Sequence, residues 1–283
     1  MTLDSILSIN KRNLDVISVF NPRKHFPLVD DKIRTKVILN KAGVPYPETI
    51  AVVKNFFEIE NVFKIISKKE SFVVKPARGR AGGGILLVEK DEDGSWKTPS
   101  GREIGKDDMK THFGDILFGV YSFGRMDDSV LIEKKVNPDD FMLNIYKRGI
   151  PDIRIITFKG KPVMAMLRVP TDRSDGKANL HQGAIGVSID METGMTGSSV
   201  MSGKRIEIHP DSGVKISGLK IPFWKEILTI AESSSMEVPL EYIGVDIVLD
   251  RKLGPLVLEL NARPGLQIQV VNKQGLLPLL EGV

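Results

Sequence analysis

Asp246, Glu259 and Asn261 are the residues of this chain whose types and spacing most directly suggest chemistry. They lie in two aliphatic, β-branched runs, residues 244–250 and 255–261, and the turn Arg251-Lys252-Leu253-Gly254 between the runs predicts an antiparallel hairpin. Such a turn sets Asp246 roughly opposite Glu259, and the two-residue period of a strand puts Asn261 on the same face. Carboxylates facing each other across a ladder repel, so two acids and an amide oxygen gathered this way form a site for a hard divalent cation. Magnesium bridging nucleotide phosphates is the natural occupant. The competing reading is a solvated hairpin with ordinary surface acids.

A second candidate is the strand Phe72-Val73-Val74-Lys75, the loop holding Arg78, Gly79, Arg80, Gly82, Gly83 and Gly84, and the strand that follows at residues 85–89. No Gly-Lys-Ser/Thr closes the loop, and a strand rather than a helix follows it, so neither a Walker loop nor a dinucleotide fingerprint fits. What remains is a hairpin flap. Its glycines let backbone N–H groups approach phosphate oxygens, Arg78 and Arg80 add positive charge, and Lys75 meets a phosphate as a point charge. A long flexible hairpin loop is the plainer alternative.

The elements that must position these residues alternate between helix and strand. Helical spacing covers residues 5–19, 30–42, 57–66, 106–119 and 222–234. Strand patterns cover 71–75, 85–89, 130–136, 184–190 and a hairpin of 153–158 with 162–169, while 171–182 reads as a polar loop and a Gly/Ser-rich turn region follows residue 190. Helices mixed with antiparallel hairpins imply an α+β protein of two lobes with a cleft, not a doubly wound sheet.

Composition narrows the function classes. The 283 residues, 41% hydrophobic and 27% charged, describe a soluble globular protein, and the apolar runs are strand-sized, too short to span a membrane. The N-terminus has no signal-peptide pattern, and the absence of cysteine excludes disulfides and thiolate chemistry, which fits a cytoplasmic location. The four histidines lack zinc-ligand spacing. A net charge of +4 with 6% aromatic residues and no basic–aromatic cluster favours a polyanionic small ligand over nucleic acid.

Several motifs occur in a recognisable order. Asp31-Lys32 opens a helix that runs into Ala42-Gly43-Val44-Pro45; Val74-Lys75-Pro76 precedes the glycine flap; then come Leu131-Ile132-Glu133-Lys134-Lys135-Val136, Gly244-Val245-Asp246 and Glu259-Leu260-Asn261-Ala262-Arg263-Pro264-Gly265. Over about residues 30–269 this resembles the ATP-grasp ligases, and most of all the branch related to α-L-glutamate ligases that extend a protein or peptide C-terminus. The resemblance implies an α+β ATP-grasp fold, two α+β lobes clamping ATP, with the usual N-terminal lobe strongly reduced. It divides the chain into an N-terminal arm (1–50), a small lobe with the flap (51–135) and a large lobe with the magnesium site (136–283).

Carried over residue by residue, the resemblance makes Lys32 and Lys75 nucleotide and phosphate contacts, and Arg78, Gly79, Gly82, Gly83 and Gly84 the flap over the triphosphate. Glu133, Lys134, Lys135 and Val136 become the hinge at the adenine edge, and Asp152 the ribose acid, with Asp140 as its rival. Asp246, Glu259 and Asn261 become magnesium ligands, for two ions with Mn2+ as a substitute. Asn179 is placed near the phosphates, and Arg168 and Arg263 steady an acyl-phosphate. Arg154 is most simply a partner for an acid.

The implied activity is carboxylate–amine ligation: ATP phosphorylates a small-molecule or peptide carboxylate, an amine such as an amino acid attacks, and an amide and ADP result. No protein nucleophile is needed, in keeping with the lack of cysteine. A kinase acting on a hydroxyl and a nucleotide-sensing module without turnover are the alternatives. Because about thirty residues precede Lys32, the resemblance also implies self-association through the 5–19 helix, or a partner chain, in place of the reduced lobe.

Overall fold

The computed structural model describes residues 2–79, 82–122, 124 and 126–283, apart from the side chain of Leu3. The chain forms two compact units. One comprises residues 1–30, 34–46 and 137–283, the other residues 31–33 and 47–136. Residues 1–30 and 34–46 therefore join the large unit instead of standing as a separate N-terminal segment.

The smaller unit is built on an antiparallel sheet of β1 (Thr49–Val53), β2 (Ser71–Pro76), β3 (Leu86–Lys90), β4 (Trp96–Lys97) and β5 (Val130–Glu133), in the order β1-β5-β2-β3-β4. Helix Ile59–Ile66 packs because Ile59, Val62, Phe63 and Ile66 fall on one face at helical spacing, and all four are buried. Helix Lys106–Leu117 buries Met109, Phe113, Ile116 and Leu117, and the Asp108 carboxylate accepts from the Gly105 N–H at 2.8 Å to fix its start. Both faces feed one core with Phe72, Val74, Val88 and Ile132.

The larger unit carries β6 (Asp152–Phe158), β7 (Lys161–Val169), β8 (Ile185–Ile189), β9 (Thr196–Met201), β10 (Lys204–Ile206), β11 (Tyr242–Asp250) and β12 (Gly254–Asn261), in the order β10-β9-β8-β7-β6-β11-β12. Every residue of β6 and β11 is buried, so these two strands run through the core of the unit. Where the sequence reads as Gly/Ser-rich turns after residue 190, the chain instead forms β9 and β10. Small residues of β9 accompany close packing: a Cβ on Gly197 would lie 2.7 Å from Ser188 Oγ on β8, and the Ser198 hydroxyl donates to the Val271 carbonyl of the helix Gln267–Asn272 at 3.0 Å. The strand expected over 130–136 ends at Glu133.

The N-terminal arm is part of this unit's core, to which it contributes Leu7, Val16, Ile17, Phe26 and Val29. Its helix runs Ile9–Lys11, widens to a π-helix over Arg12–Ile17, and ends as Ser18–Phe20. Asn21 then pins the arm to β11: its amide donates to the Tyr242 carbonyl at 2.6 Å and the Ala262 carbonyl at 3.0 Å, and its oxygen accepts from the Tyr242 N–H at 2.9 Å. Among the described residues no helix is long and apolar enough to cross a membrane.

Candidate functional site

Antiparallel register assembles a charged cluster within the larger unit. Asp246 on β11 pairs directly with Glu259 on β12 and, across its other edge, with Arg154 on β6; Asp152 on β6 pairs with Arg168 on β7. Asn261, two residues beyond Glu259, reaches back so that its amide nitrogen stands 3.4 Å from both Asp246 Oδ2 and Glu259 Oε1. The hairpin turn is held by Asp250, a buried acid that accepts from the N–H groups of Asn137, Lys252 and Leu253 at 2.8, 2.9 and 3.0 Å.

Charge in this cluster is shared among buried groups. Arg154 forks onto Asp246, with the second bond at 2.5 Å, and Arg168 donates to both oxygens of Asp152 at 2.5 and 2.6 Å and to Asp246 at 2.8 Å. Burial pushes the Asp246 carboxyl up, yet the guanidinium charges of Arg154 and Arg168 outweigh it and hold the group well below the carboxylate range. Asp152 moves the other way. Burial raises it to about 6, against the charge of Arg168 and with the help of the Asp246 anion.

Asp246, Glu259 and Asn261 thus meet, as the hairpin pattern predicts, and offer two carboxylates and one amide. Among the described residues no group of three or more His, Cys, Asp or Glu side chains is set out as a metal site. By type, two carboxylates and an amide oxygen suit magnesium or manganese and not zinc; in this structure the Asn261 nitrogen faces both carboxylates, and Arg154 and Arg168 hold Asp246.

A separate cluster lies in the smaller unit. Lys75 forms an ion pair with the buried Glu133 on the adjacent strand, and the Lys32 ammonium donates to the Gly79 carbonyl at 2.9 Å. Asp128, which the sequence reading missed, accepts from the Arg78 N–H on both oxygens at 3.0 Å and from the Ser122 hydroxyl at 2.5 Å, while Arg78 Nε reaches Asp31 at 3.3 Å. At the far end of the loop the His112 Nε2 stands 3.0 Å from the Gly84 carbonyl. Gly82 and Gly84 take φ of +76° and +72°, and a Cβ on Gly84 would lie 2.6 Å from the Tyr121 ring, so glycine is required there. Gly83 lies between them; Arg80 falls outside the described residues.

The remaining predicted residues are dispersed. The Lys134 N–H donates to the Glu48 carbonyl at 2.9 Å, Lys135 pairs with Glu89, and Val136 is buried where the chain passes from the smaller unit to the larger. The Asn179 side chain accepts from the His181 N–H at 3.0 Å and caps a short turn. Arg263 does not join the Asp246 cluster: it donates to Asp30 at 2.9 Å and lies over the Phe26 ring. Asp140 is exposed and pairs with Arg251, in contrast to the buried Asp152.

Two antiparallel sheets carrying a glycine-loop hairpin and an acid–acid–amide hairpin make up the ATP-grasp fold. The chain belongs to the sugar-transfer associated ATP-grasp family, whose profile it matches over residues 11–283. It is similar in fold to the ATP-grasp ligase PsnB complexed with a minimal precursor, at 15% identity and a TM-score of 0.51, covering 93% of this chain and 62% of PsnB. A further PsnB complex contains Mg and ADP, with a TM-score of 0.51 and coverage of 93% and 60%. A β-γ-ATP complex of biotin carboxylase from Campylobacter jejuni gives a TM-score of 0.56 at 13% identity, covering 91% of this chain and 46% of that one. For the D-cycloserine synthetase DcsG the values are 0.50, 16%, 92% and 71%. The chain therefore spans less than two thirds of the length of PsnB. No curated protein matches it.

Proposed function

We propose that this chain is an ATP-dependent carboxylate–amine ligase that forms an amide through an acyl-phosphate and releases ADP. The observation that carries the reading is the meeting of Asp246, Glu259 and Asn261 beside two buried arginines. In this reading Asp246, Glu259 and Asn261 would hold one or two magnesium ions, with manganese as a substitute. A bound divalent cation supplies charge neutralisation at the transferring phosphoryl group. Arg168 acts as an electrostatic clamp on the acyl-phosphate, with Arg263 and Asn179 in supporting roles. Lys32, Lys75, Arg78 and the glycines at 79 and 82–84 bind the triphosphate through ammonium, guanidinium and backbone N–H groups. The strand end at 133–136 takes the adenine edge and Asp152 the ribose.

The carboxylate and the amine are identified by chemical class. Glutamate is among the amines, as in the glutamate-adding branch that the motifs resemble. The family's association with sugar transfer adds acidic sugars to the carboxylates. An amide-forming site passes both substrates through one turnover, so in this reading ADP release depends on an acid and an amine together. The test is an ADP-release screen over paired acids and amines with mass detection of the conjugate. ADP release that requires both an acid and an amine supports the ligase. Release with a hydroxyl compound alone, accompanied by a phosphate ester, replaces it with a kinase. Tight nucleotide binding without release under any pair makes it a sensor.

A further inference from the structure

The β11–β12 ladder carries one residue too many for a regular hairpin. From the turn outward the partners are Asp250 with Gly254, Leu249 with Pro255, Val248 with Leu256 and Ile247 with Val257, but the next pair is Asp246 with Glu259, so Leu258 is passed over. Had the ladder continued unbroken from the turn, Leu258 would face Asp246, and Glu259 would face Val245, a core residue. The bulge prevents this. Val257, Leu260 and Ala262 enter the core, a step of three residues followed by a step of two, and the longer step is where Glu259 turns out of the core toward Asp246.

A regular ladder would reach the same acid pair by another route. A four-residue turn over residues 251–254 would pair Asp250 with Pro255 and keep Asp246 opposite Glu259, sending Leu258 into the core and Val257 to the opposite face. The structure takes the three-residue turn 251–253 instead, and the buried Asp250 closes it. Its Oδ1 accepts from the Lys252 and Leu253 N–H groups at 2.9 and 3.0 Å, while its Oδ2 accepts from the Asn137 N–H at 2.8 Å, where the chain re-enters the larger unit. Two backbone bonds seat the same segment against the turn, from the Asp139 N–H to the Leu249 carbonyl at 2.9 Å and from the Arg251 N–H to the Asn137 carbonyl at 2.8 Å. Val257 marks the outcome, because its N–H donates to the Pro45 carbonyl at 2.9 Å. Side-chain and N–H directions alternate together along a strand, so that bond belongs to the bulged register.

We propose that Asp250 is a positioning residue for the cation ligands: by closing the short turn against Asn137 it selects the bulged register, and the bulge aims Glu259 and Asn261 at Asp246. A bulge bends its strand and increases the local twist, so the two ligands that follow Leu258 take a direction that a flat ladder would not give them. Asp250 acts through backbone N–H groups, four residues along β11 from Asp246. That these ligands hold a cation rests on the ligase reading; that Asp250 sets the register does not.

The chain has no cysteine, so single thiols introduced by Leu258→Cys and, separately, by Val257→Cys report the register directly. With Asp250 in place, N-ethylmaleimide should modify the thiol at 258 at least about 10-fold faster than the thiol at 257, since Leu258 is half-buried and Val257 fully buried. Adding Asp250→Ala should reverse that order, protecting 258 and exposing 257. In the cysteine-free chain, Asp250→Ala should also weaken Mn-AMPPNP about 10-fold by calorimetry while leaving AMPPNP affinity in EDTA unchanged, the size of effect seen when a partner behind a metal ligand is lost. Equal acceleration at 257 and 258 means that Asp250 only stabilises the fold, and overturns the proposal. An unchanged order of rates, or an unchanged Mn-AMPPNP affinity, overturns it as well. Where Asp250→Ala loses cooperative unfolding, Asp250→Asn decides: its amide keeps one acceptor oxygen, and wild-type rates with wild-type Mn-AMPPNP affinity in that variant overturn the role. Failure of Mn-AMPPNP to bind wild type counts against the ligase reading alone, and the thiol rates still decide the register.

Discussion

Asp246 does two jobs that a sequence cannot separate. Its pairing with Glu259 was legible, because an alternating aliphatic hairpin fixes register. The fork from Arg154 was legible only as an arginine in need of some acid, since its partner lies on a strand 92 residues away. Removing Asp246 leaves Arg154, and one bond of Arg168, without their buried counter-charge. Asp246→Asn should therefore lower stability by about 3–5 kcal/mol in denaturant unfolding as well as abolish ADP release. Glu259→Gln, which leaves the Arg154–Asp246 fork in place, should abolish release with a smaller loss of stability than Asp246→Asn; normal turnover in the Gln variant would refute the metal assignment. Asp152 gives a pH signature. Its native pKa of about 6 lies above that of the unfolded chain, so its contribution to stability is complete below about pH 4 and is lost as pH rises through 6. Relative to Asp152→Asn, wild type should lose about 3 kcal/mol between those limits and then stay level, as read from unfolding at a series of pH values. Asp128 escaped the sequence reading because it sits in no motif and the backbone it holds, that of Arg78, lies 50 residues away.

At the scale of elements, the glycine loop and the β11–β12 hairpin followed local rules and were predictable. β9 was not, because its small residues, packed against β8 and the helix Gln267–Asn272, imitate a turn. Two substitutions probe how these elements are held. Gly84→Ala puts a Cβ against the Tyr121 ring at a left-handed φ, and should cost about 1 kcal/mol or more and weaken nucleotide binding several-fold, measured by melting and by titration with Mg-ADP. Asn21→Ala strips three buried hydrogen bonds and leaves the Tyr242 N–H and C=O unsatisfied at the head of β11. A loss of about 3 kcal/mol is expected in chemical denaturation.

The whole molecule departs from the order of its sequence. The compact units are not contiguous segments, since residues 31–33 join 47–136 and the rest of the first 46 residues join the C-terminal part. A reading that divides the chain at successive motifs cannot find this, because the interleaving is decided by long-range burial. The arm that reads as a surface for self-association supplies Leu7, Val16, Ile17, Phe26 and Val29 to the larger unit's core, and Gln269 exchanges hydrogen bonds with the Leu7 backbone at 2.9 and 3.0 Å. Deleting residues 1–30 should therefore abolish cooperative unfolding of that unit and cause aggregation on expression. A soluble truncated chain with an intact thermal transition would return the arm to the role of an accessory.

The wide turn at Arg12–Ile17 has a further consequence for how this arm tolerates change in length. A π turn is an α-helix with one residue in excess, and the wide turn takes up that residue between the two flanking stretches. Excising the exposed Leu14 would let the backbone relax to ordinary α geometry while the flanking residues keep much the same facing, because the turn already absorbs the extra residue. A one-residue deletion there should cost the fold less than the same deletion in a regular helix, where every following side chain turns by about 100°.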